Sequence, residues 1–200
     1  MLDLDFGTWP FVTSSSTCIG GVCTGLGVPP SALDCNIGIV KAYTTRVGAG
    51  PFPTWLDNEI GERLQDVGNE FGATTGRKRK CGWLDLNVIK YAHKINGFSS
   101  LNLTKLDVLS GIPTIKVATH YVLDGKILEG SFPATIEDLG RCETIYTDLP
   151  GWTEDISTCT AFDQLPRNAQ DYVHFIEEQC KVPVSWIGTG PEREAMFLKE

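Results

Sequence analysis

The spacing of apolar and polar residues changes several times along this chain, and each change marks an element. Leu2-Asp3-Leu4-Asp5-Phe6 alternates apolar with acidic residues, the period of a strand. The stretch 7–27 that follows is rich in Gly, Ser and Thr, including Thr13-Ser14-Ser15-Ser16-Thr17 and Gly20-Gly21, and reads as a loop. Pro29-Pro30-Ser31 suggests a helix start, and Leu33, Ile37, Val40 and Tyr43 recur at helical spacing, so the pattern predicts a helix over 32–46. Gly48-Ala49-Gly50-Pro51-Phe52-Pro53 ends it. A second helix is predicted over 59–67. A third, over 83–95, has Leu84, Val88, Tyr91 or Ala92, and Ile95 as its apolar stripe, and Asn96-Gly97 as a left-handed stop signal.

Ser100-Leu101-Asn102-Leu103-Thr104 alternates as a strand, and 115–123 with 126–128 reads as a hairpin turning at Asp124-Gly125. A last helix fits 168–179, followed by a strand over 182–187 and the turn Gly188-Thr189-Gly190-Pro191. No repeat, linker or low-complexity tract divides the series. Mixed elements in this order predict an α/β fold, either one domain or part of a larger one.

Composition narrows the functional classes. The 200 residues include 25 acidic and 17 basic side chains, a formal charge of -8, opposite to the broad basic field that nucleic acid or an anionic membrane requires. No nucleic-acid or membrane partner is therefore expected, and an anionic ligand must meet a local basic cluster. No apolar run approaches the ~18 residues of a membrane span, and no basic n-region precedes an apolar h-region, so a soluble, cytoplasmic protein is expected. The 7 cysteines form no C-x-x-C pair, and the 3 histidines never stand at i, i+4, so neither a disulfide framework nor zinc-ligand spacing is legible. Buried or partly buried thiols in a reducing compartment are the expectation. Asn102-Leu103-Thr104 matches a glycosylation sequon but lacks a secretory signal to make it accessible to modification.

Candidate chemistry lies in three places. Arg77-Lys78-Arg79-Lys80 puts four consecutive cations just after Thr74-Thr75-Gly76. Hydroxyls, backbone N–H groups and a guanidinium fork suit phosphate or carboxylate oxygens, and Gly72 and Gly76 would let the loop change shape. The alternative is a solvated basic loop or localisation patch. Thr104-Lys105-Leu106-Asp107 follows a predicted strand, where α/β sheets place ligands. Its carboxylate can accept both the N1–H and the exocyclic amine of guanine, which adenine cannot offer, while the lysine stem lies along the base; a strand-end ion pair or turn is the alternative. Gly188-Thr189-Gly190-Pro191 could wrap a base or ribose with unobstructed backbone, and Thr13-Ser14-Ser15 could hold a phosphate. No G-x-x-x-x-G-K-[ST] motif occurs: Gly20 and Gly25 have the spacing, but Leu26 follows.

Several long stretches, in order, carry a family resemblance. Leu2-Asp3-Leu4-Asp5-Phe6-Gly7-Thr8 through Pro10-Phe11-Val12-Thr13-Ser14-Ser15, Lys41-Ala42-Tyr43-Thr44-Thr45-Arg46-Val47-Gly48, Gly50-Pro51-Phe52-Pro53-Thr54, Thr74-Thr75-Gly76-Arg77 and Thr104-Lys105-Leu106-Asp107-Val108-Leu109 resemble the C-terminal half of adenylosuccinate synthetases. The likeness covers essentially the whole chain, taken as one portion of a domain over 1–200. It implies the C-terminal part of a P-loop-NTPase-like domain with a central mixed sheet, flanking helices and a β-hairpin. It also implies a cytoplasmic, homodimeric ligase that uses GTP and magnesium to join IMP to L-aspartate through 6-phosphoryl-IMP.

Carried over by motif, Thr13, Val47 and Arg77 would bind IMP. Ala73, Thr74, Thr75, Gly76, Arg77, Lys78 and Arg79 would form a mobile aspartate-binding loop. Arg79, Lys105, Leu106, Asp107, Gly188, Thr189 and Gly190 would serve GTP. The family's phosphate loop, catalytic aspartate and histidine, and magnesium ligands fall in a half this sequence does not show, so no catalytic or metal residue is assigned to it. The resemblance departs at Trp55, where glutamate is common, and at Gly188, where serine is common. The chain alone is expected to be inactive; the alternative is a non-catalytic nucleotide-binding fragment or partner-dependent module.

Overall fold

The computed structural model describes residues 2–74 and 76–199. A helix α1 (Ile19–Leu26) precedes two strands, β1 (Ile37–Lys41) and β2 (Thr44–Arg46), and helix α2 (Glu59–Val67). Then come β3 (Lys80–Gly82), β4 (Leu84–Asp85), α3 (Leu86–Asn96) and β5 (Ser100–Thr104). The long strand β6 (Thr114–Leu123) turns into β7 (Lys126–Ile127), followed by α4 (Ile136–Arg141) and β8 (Glu143–Pro150). Helix α5 (Arg167–Cys180) and strands β9 (Val184–Gly188) and β10 (Met196–Leu198) complete the order.

One sheet has the order β1-β5-β9-β10, with the first three strands parallel and β10 antiparallel to β9. A second sheet is built on β6, which pairs with β4 in parallel and with β7 and β8 in antiparallel fashion. β2 and β3 form a separate antiparallel pair. The core joins Leu101 and Leu103 of β5 and Val184 and Ile187 of β9 to Tyr172, Val173 and Ile176 of α5. The fully buried Tyr172 hydroxyl donates to the Ala42 carbonyl at 2.7 Å, fastening α5 to the segment that follows β1.

Local chemistry explains where the helices begin and end. The Asn58 side chain accepts from the amides of Ile60 and Gly61, both at 3.1 Å, and Glu59 and Glu62 in the first turn suit the helix dipole. Asp85 caps α3 by accepting from Asn87 N, so the helix starts at Leu86 rather than at Trp83 as the spacing predicts. Gly97 ends it at φ 60, the left-handed conformation that Asn96-Gly97 announces.

The predicted helix over 32–46 is wrong: the segment holds a 3₁₀ turn at Pro30–Ala32, then β1 and β2. Ile37, Ile39, Val40, Thr44 and Thr45 are β-branched, and their pairing with β5 and β3 outweighs the helical spacing. Gly38 belongs to this close packing, because a Cβ there would come within 2.8 Å of the Phe98 ring. The predicted strand at 2–6 is instead a turn wound on the buried Asp3 carboxylate, which accepts from Asp5 N at 2.9 Å, Phe6 N at 3.1 Å and Cys18 N at 3.2 Å. α1 lies inside the segment read as a loop: Ile19, Val22, Cys23 and Leu26 stand at helical spacing, but Gly20, Gly21 and Gly25 among them give the stretch the composition of a loop, and the helix buries no residue and has no side-chain cap.

Candidate functional site

The carboxyl ends of β1, β5 and β9 lie side by side, the edge at which open α/β sheets gather ligands. β5 leaves the sheet through Lys105, held at φ 60, and turns into a 3₁₀ turn over Leu106–Leu109. Leu106, Val108 and Leu109 point into the core, and Leu106 is fully buried. Leu106 therefore anchors the turn and has only backbone to offer a ligand. Asp107 emerges between these anchors. Its Oδ1 is buried without a hydrogen-bond partner. Burial pushes its pKa up, against the pull of its own backbone N–H and of Lys105.

Leu103 of β5 pairs with Ile187 of β9, which brings Gly188 beside Thr104. A Cβ at Gly188 would meet Thr104 Cα at 3.4 Å, an ordinary contact, so the serine common in the resembling family is compatible with this backbone. Thr189 is fully buried: its hydroxyl donates to Ala195 O at 3.2 Å or Cys159 O at 3.3 Å, and its N–H to Ala195 O at 2.8 Å. Its hydroxyl therefore secures the turn internally. The structure thus brings Lys105, Asp107 and the 188–190 turn to one edge of the sheet.

The centre of this edge is a residue the sequence reading missed. Glu70, with no exposed side-chain surface, accepts from Lys41 Nζ at 2.8 and 2.9 Å, Tyr43 OH at 2.7 Å and Arg79 Nη1 at 2.8 Å. Lys105 Nζ stands 3.1 Å from the same carboxylate and also donates to Gly68 O. Burial alone would raise the Glu70 pKa, but Lys41, Tyr43, Arg79 and Lys105 outweigh it and hold the carboxyl at about 2. A folded pKa below the ordinary 4.5 contributes stability that is present above 4.5 and is lost as pH falls through about 2. The stability difference between wild type and Glu70→Gln, measured by denaturant titration, should be constant from pH 7 to about 5 and shrink steadily towards pH 2. A pH-independent difference would show that the ion cluster does not act in the folded state.

Four-cation repulsion in the basic run is relieved by dividing its members. Arg79 is paired with Glu70, and Lys80 Nζ sits 3.9 Å from the Trp55 ring centroid, so Trp55 supplies a cation–π partner where the family commonly has an acid. Lys78 makes a backbone bridge to Phe71, and Gly72 N donates to Arg77 O while Gly76 N donates to Gly72 O, closing a narrow turn. Gly76 takes φ 63. Ala73, Thr74, Gly76, Arg77 and Lys78 are exposed; Thr75 lies outside the described residues. Arg79 and Lys80 are thus anchored through their side chains, so the run is not simply a solvated loop.

Thr13 and Val47 are both exposed, and a second missed residue links their segments. The buried Arg46 guanidinium donates to Thr8 Oγ1 at 3.0 Å, Phe11 O at 3.3 Å and Ala49 O at 3.1 Å. Gly50, at φ 103, makes room for it, since a Cβ would lie 2.2 Å from Arg46 Nη2. Thr13 borders a groove of about 470 Å³ that also touches Thr17, Gly38 and Asn96. A third buried group, Asp85, accepts from Asn87 Nδ2 and from the Tyr121 hydroxyl, and burial raises its pKa. Among the described residues no group of three or more His, Cys, Asp or Glu side chains converges on a metal position.

Known proteins share this architecture and sequence. The adenylosuccinate synthetase family model matches residues 1–197. A curated adenylosuccinate synthetase from Paramecium tetraurelia is 58% identical over 200 residues, all of this chain and 46% of that protein. Adenylosuccinate synthetase 1 of Laccaria bicolor is 60% identical over the same 200 residues, again 46% of its length. The chain thus spans about half the length of the curated relatives it matches. A solved structure described as a fully ligated adenylosuccinate synthetase from Plasmodium falciparum has a TM-score of 0.97 and 48% identity, covering 100% of this chain and 48% of that one.

Proposed function

The chain belongs to the adenylosuccinate synthetase family, and on that premise we propose that it supplies the guanine-, IMP- and aspartate-binding parts of a GTP-dependent ligase that forms adenylosuccinate. One observation carries the reading: the buried, unpartnered Oδ1 of Asp107 at the carboxyl end of β5. Such an acceptor is costly to leave unmade. Guanine offers N1–H and amine donors to the two carboxylate oxygens, whereas adenine presents an acceptor at N1 and leaves the carboxylate unsatisfied. Lys105, fixed at its ammonium, contributes its stem to the base plane, and the 188–190 backbone closes the other side.

On this reading Thr13 donates its hydroxyl to the IMP phosphate, Val47 packs against the nucleotide and Arg77 reaches the ribose. The turn over 73–79 holds the aspartate carboxylates through hydroxyl, amide and guanidinium donors, with Arg79 on the GTP side. Magnesium would screen the transferring phosphates in the complete ligase, and on this reading its ligands come from outside these 200 residues. A cytoplasmic homodimer is the assembly proposed for the whole protein.

The test pairs the chain alone with a chimera in which it is joined to the part of the Laccaria bicolor relative that it does not cover. Given IMP, GTP, magnesium and aspartate, the chain alone should form no adenylosuccinate, and the chimera should form it. Turnover by the chain alone would show that these 200 residues carry phosphoryl-transfer groups of their own. A folded but inactive chimera would favour a non-catalytic nucleotide-binding module.

A further inference from the structure

We propose that Glu70 is a positioning residue that couples guanine recognition at Lys105 to the conformation of the basic turn through Arg79. The inference rests on the guanine reading above and goes beyond it, because it assigns a role to a residue that would touch neither base nor phosphate. The geometry is specific. The Glu70 side chain is 0% exposed, whereas Lys41, Arg79 and Lys105 are 28%, 31% and 35% exposed. One carboxylate is therefore sealed inside three cations that each stay partly exposed.

A carboxylate has about four acceptor directions. Lys41, Tyr43, Arg79 and Lys105 occupy them. No acceptor direction remains to absorb a displaced group, so moving one cation disturbs the geometry of the others. Three positive charges against one negative leave the cluster cationic, which favours an anionic nucleotide at its outer face.

The backbone makes the link to the turn short. Arg79 N donates to Glu70 O at 2.9 Å, and Gln65 Nε2 donates to Arg79 O at 2.7 Å, so both the main chain and the side chain of Arg79 are referred to the end of α2. Lys105 is referred to the same place through Glu70 and Gly68 O. Held at its tip, its four-carbon stem becomes a fixed apolar strip instead of a mobile solvated chain. A base resting on that strip selects the Lys105–Glu70 arrangement, and with it the position of Arg79. Coupling of this kind is reciprocal, so an ordered turn also favours the base.

The experiment uses the chain as it stands with GDP as the probe. GDP affinity is measured by calorimetry, and amide hydrogen exchange over 76–80 is followed with and without saturating GDP. In the wild type, GDP should slow exchange in the turn. In Glu70→Gln, GDP affinity should fall ~10-fold, and saturating GDP should leave exchange in the turn unchanged. Glu70→Asp, which keeps the charge, should restore part of both effects. Lys105→Met keeps the stem and removes only the ammonium, so it should reproduce the Glu70→Gln result without depending on that variant's folding. In the Glu70→Gln, Lys105→Met double variant the losses should be less than additive.

Wild-type binding without protection of the turn would overturn the coupling and leave the guanine site standing. Wild-type behaviour in both Glu70→Gln and Lys105→Met would overturn it equally. Absence of GDP binding by the wild type would overturn the guanine reading and the coupling together.

Discussion

Asp107→Asn should weaken guanine-nucleotide binding by roughly 1 to 3 kcal/mol while making the chain more stable, the two effects having one cause. Burial raises the Asp107 pKa in the folded chain, and Oδ1 has no partner there. A folded pKa above the ordinary 3.8 means that folding binds the proton more tightly than the unfolded chain does. The resulting cost to stability is absent below 3.8 and fully present above the folded pKa. Asparagine carries no charge to desolvate and should relieve about 1 kcal/mol of that cost. It also turns one acceptor into a donor facing the guanine amine. Xanthine nucleotides, with a carbonyl in place of that amine, should recover part of the lost affinity in the variant. Denaturant titration and calorimetry with GDP and XDP test both halves. Unchanged GDP affinity would remove Asp107 from the site.

Leu106→Ala is expected to give the largest loss of stability among single changes at the site. The side chain is fully buried in the core cluster, and truncation of such a leucine costs ~2 to 5 kcal/mol. The same residue stands between Lys105 and Asp107 at the head of the 3₁₀ turn, where it sets the direction of both. GDP affinity should therefore fall even under conditions where the variant is wholly folded, although Leu106 presents no side chain to a ligand. A loss below about 1 kcal/mol in urea titration, or unchanged GDP binding by the folded variant, would show that the turn is held by other contacts.

The sequence made part of this legible for identifiable reasons. α2, α3, α5 and β5 have strong periodicity, and the hairpin of β6 and β7 is announced by Asp124-Gly125, which adopts φ 49 and 76. Over 32–46, by contrast, apolar residues fit helical spacing and β-branched propensity at once. The deciding fact, parallel pairing of β1 with β5, joins residues such as Ile39 and Asn102 that local spacing cannot relate. β8 is legible too, since Glu143-Thr144-Ile145-Tyr146-Thr147 is rich in β-formers and Pro150-Gly151 marks a turn after it, yet no strand is predicted there.

The same division holds at the site. Lys105, Asp107 and the 188–190 turn follow recognisable strands, so their placement at one edge can be read from order alone. Glu70 cannot be recognised that way. In the sequence it is one acid in Gly68-Asn69-Glu70-Phe71, and its importance arises only when folding seals it among Lys41, Arg79 and Lys105. Arg46 is similar: a cation near a Gly-rich segment becomes a clamp only once Thr8 and Phe11 are brought to it.

The guanine assignment is tested most directly by a crystal structure of the chain with GDP. The guanine N1–H and amine should lie within hydrogen-bond distance of the two Asp107 carboxylate oxygens, with the Lys105 stem along the base and the 188–190 backbone beside it. A base seated elsewhere, or one in this pocket that leaves Asp107 Oδ1 unpaired, would contradict it.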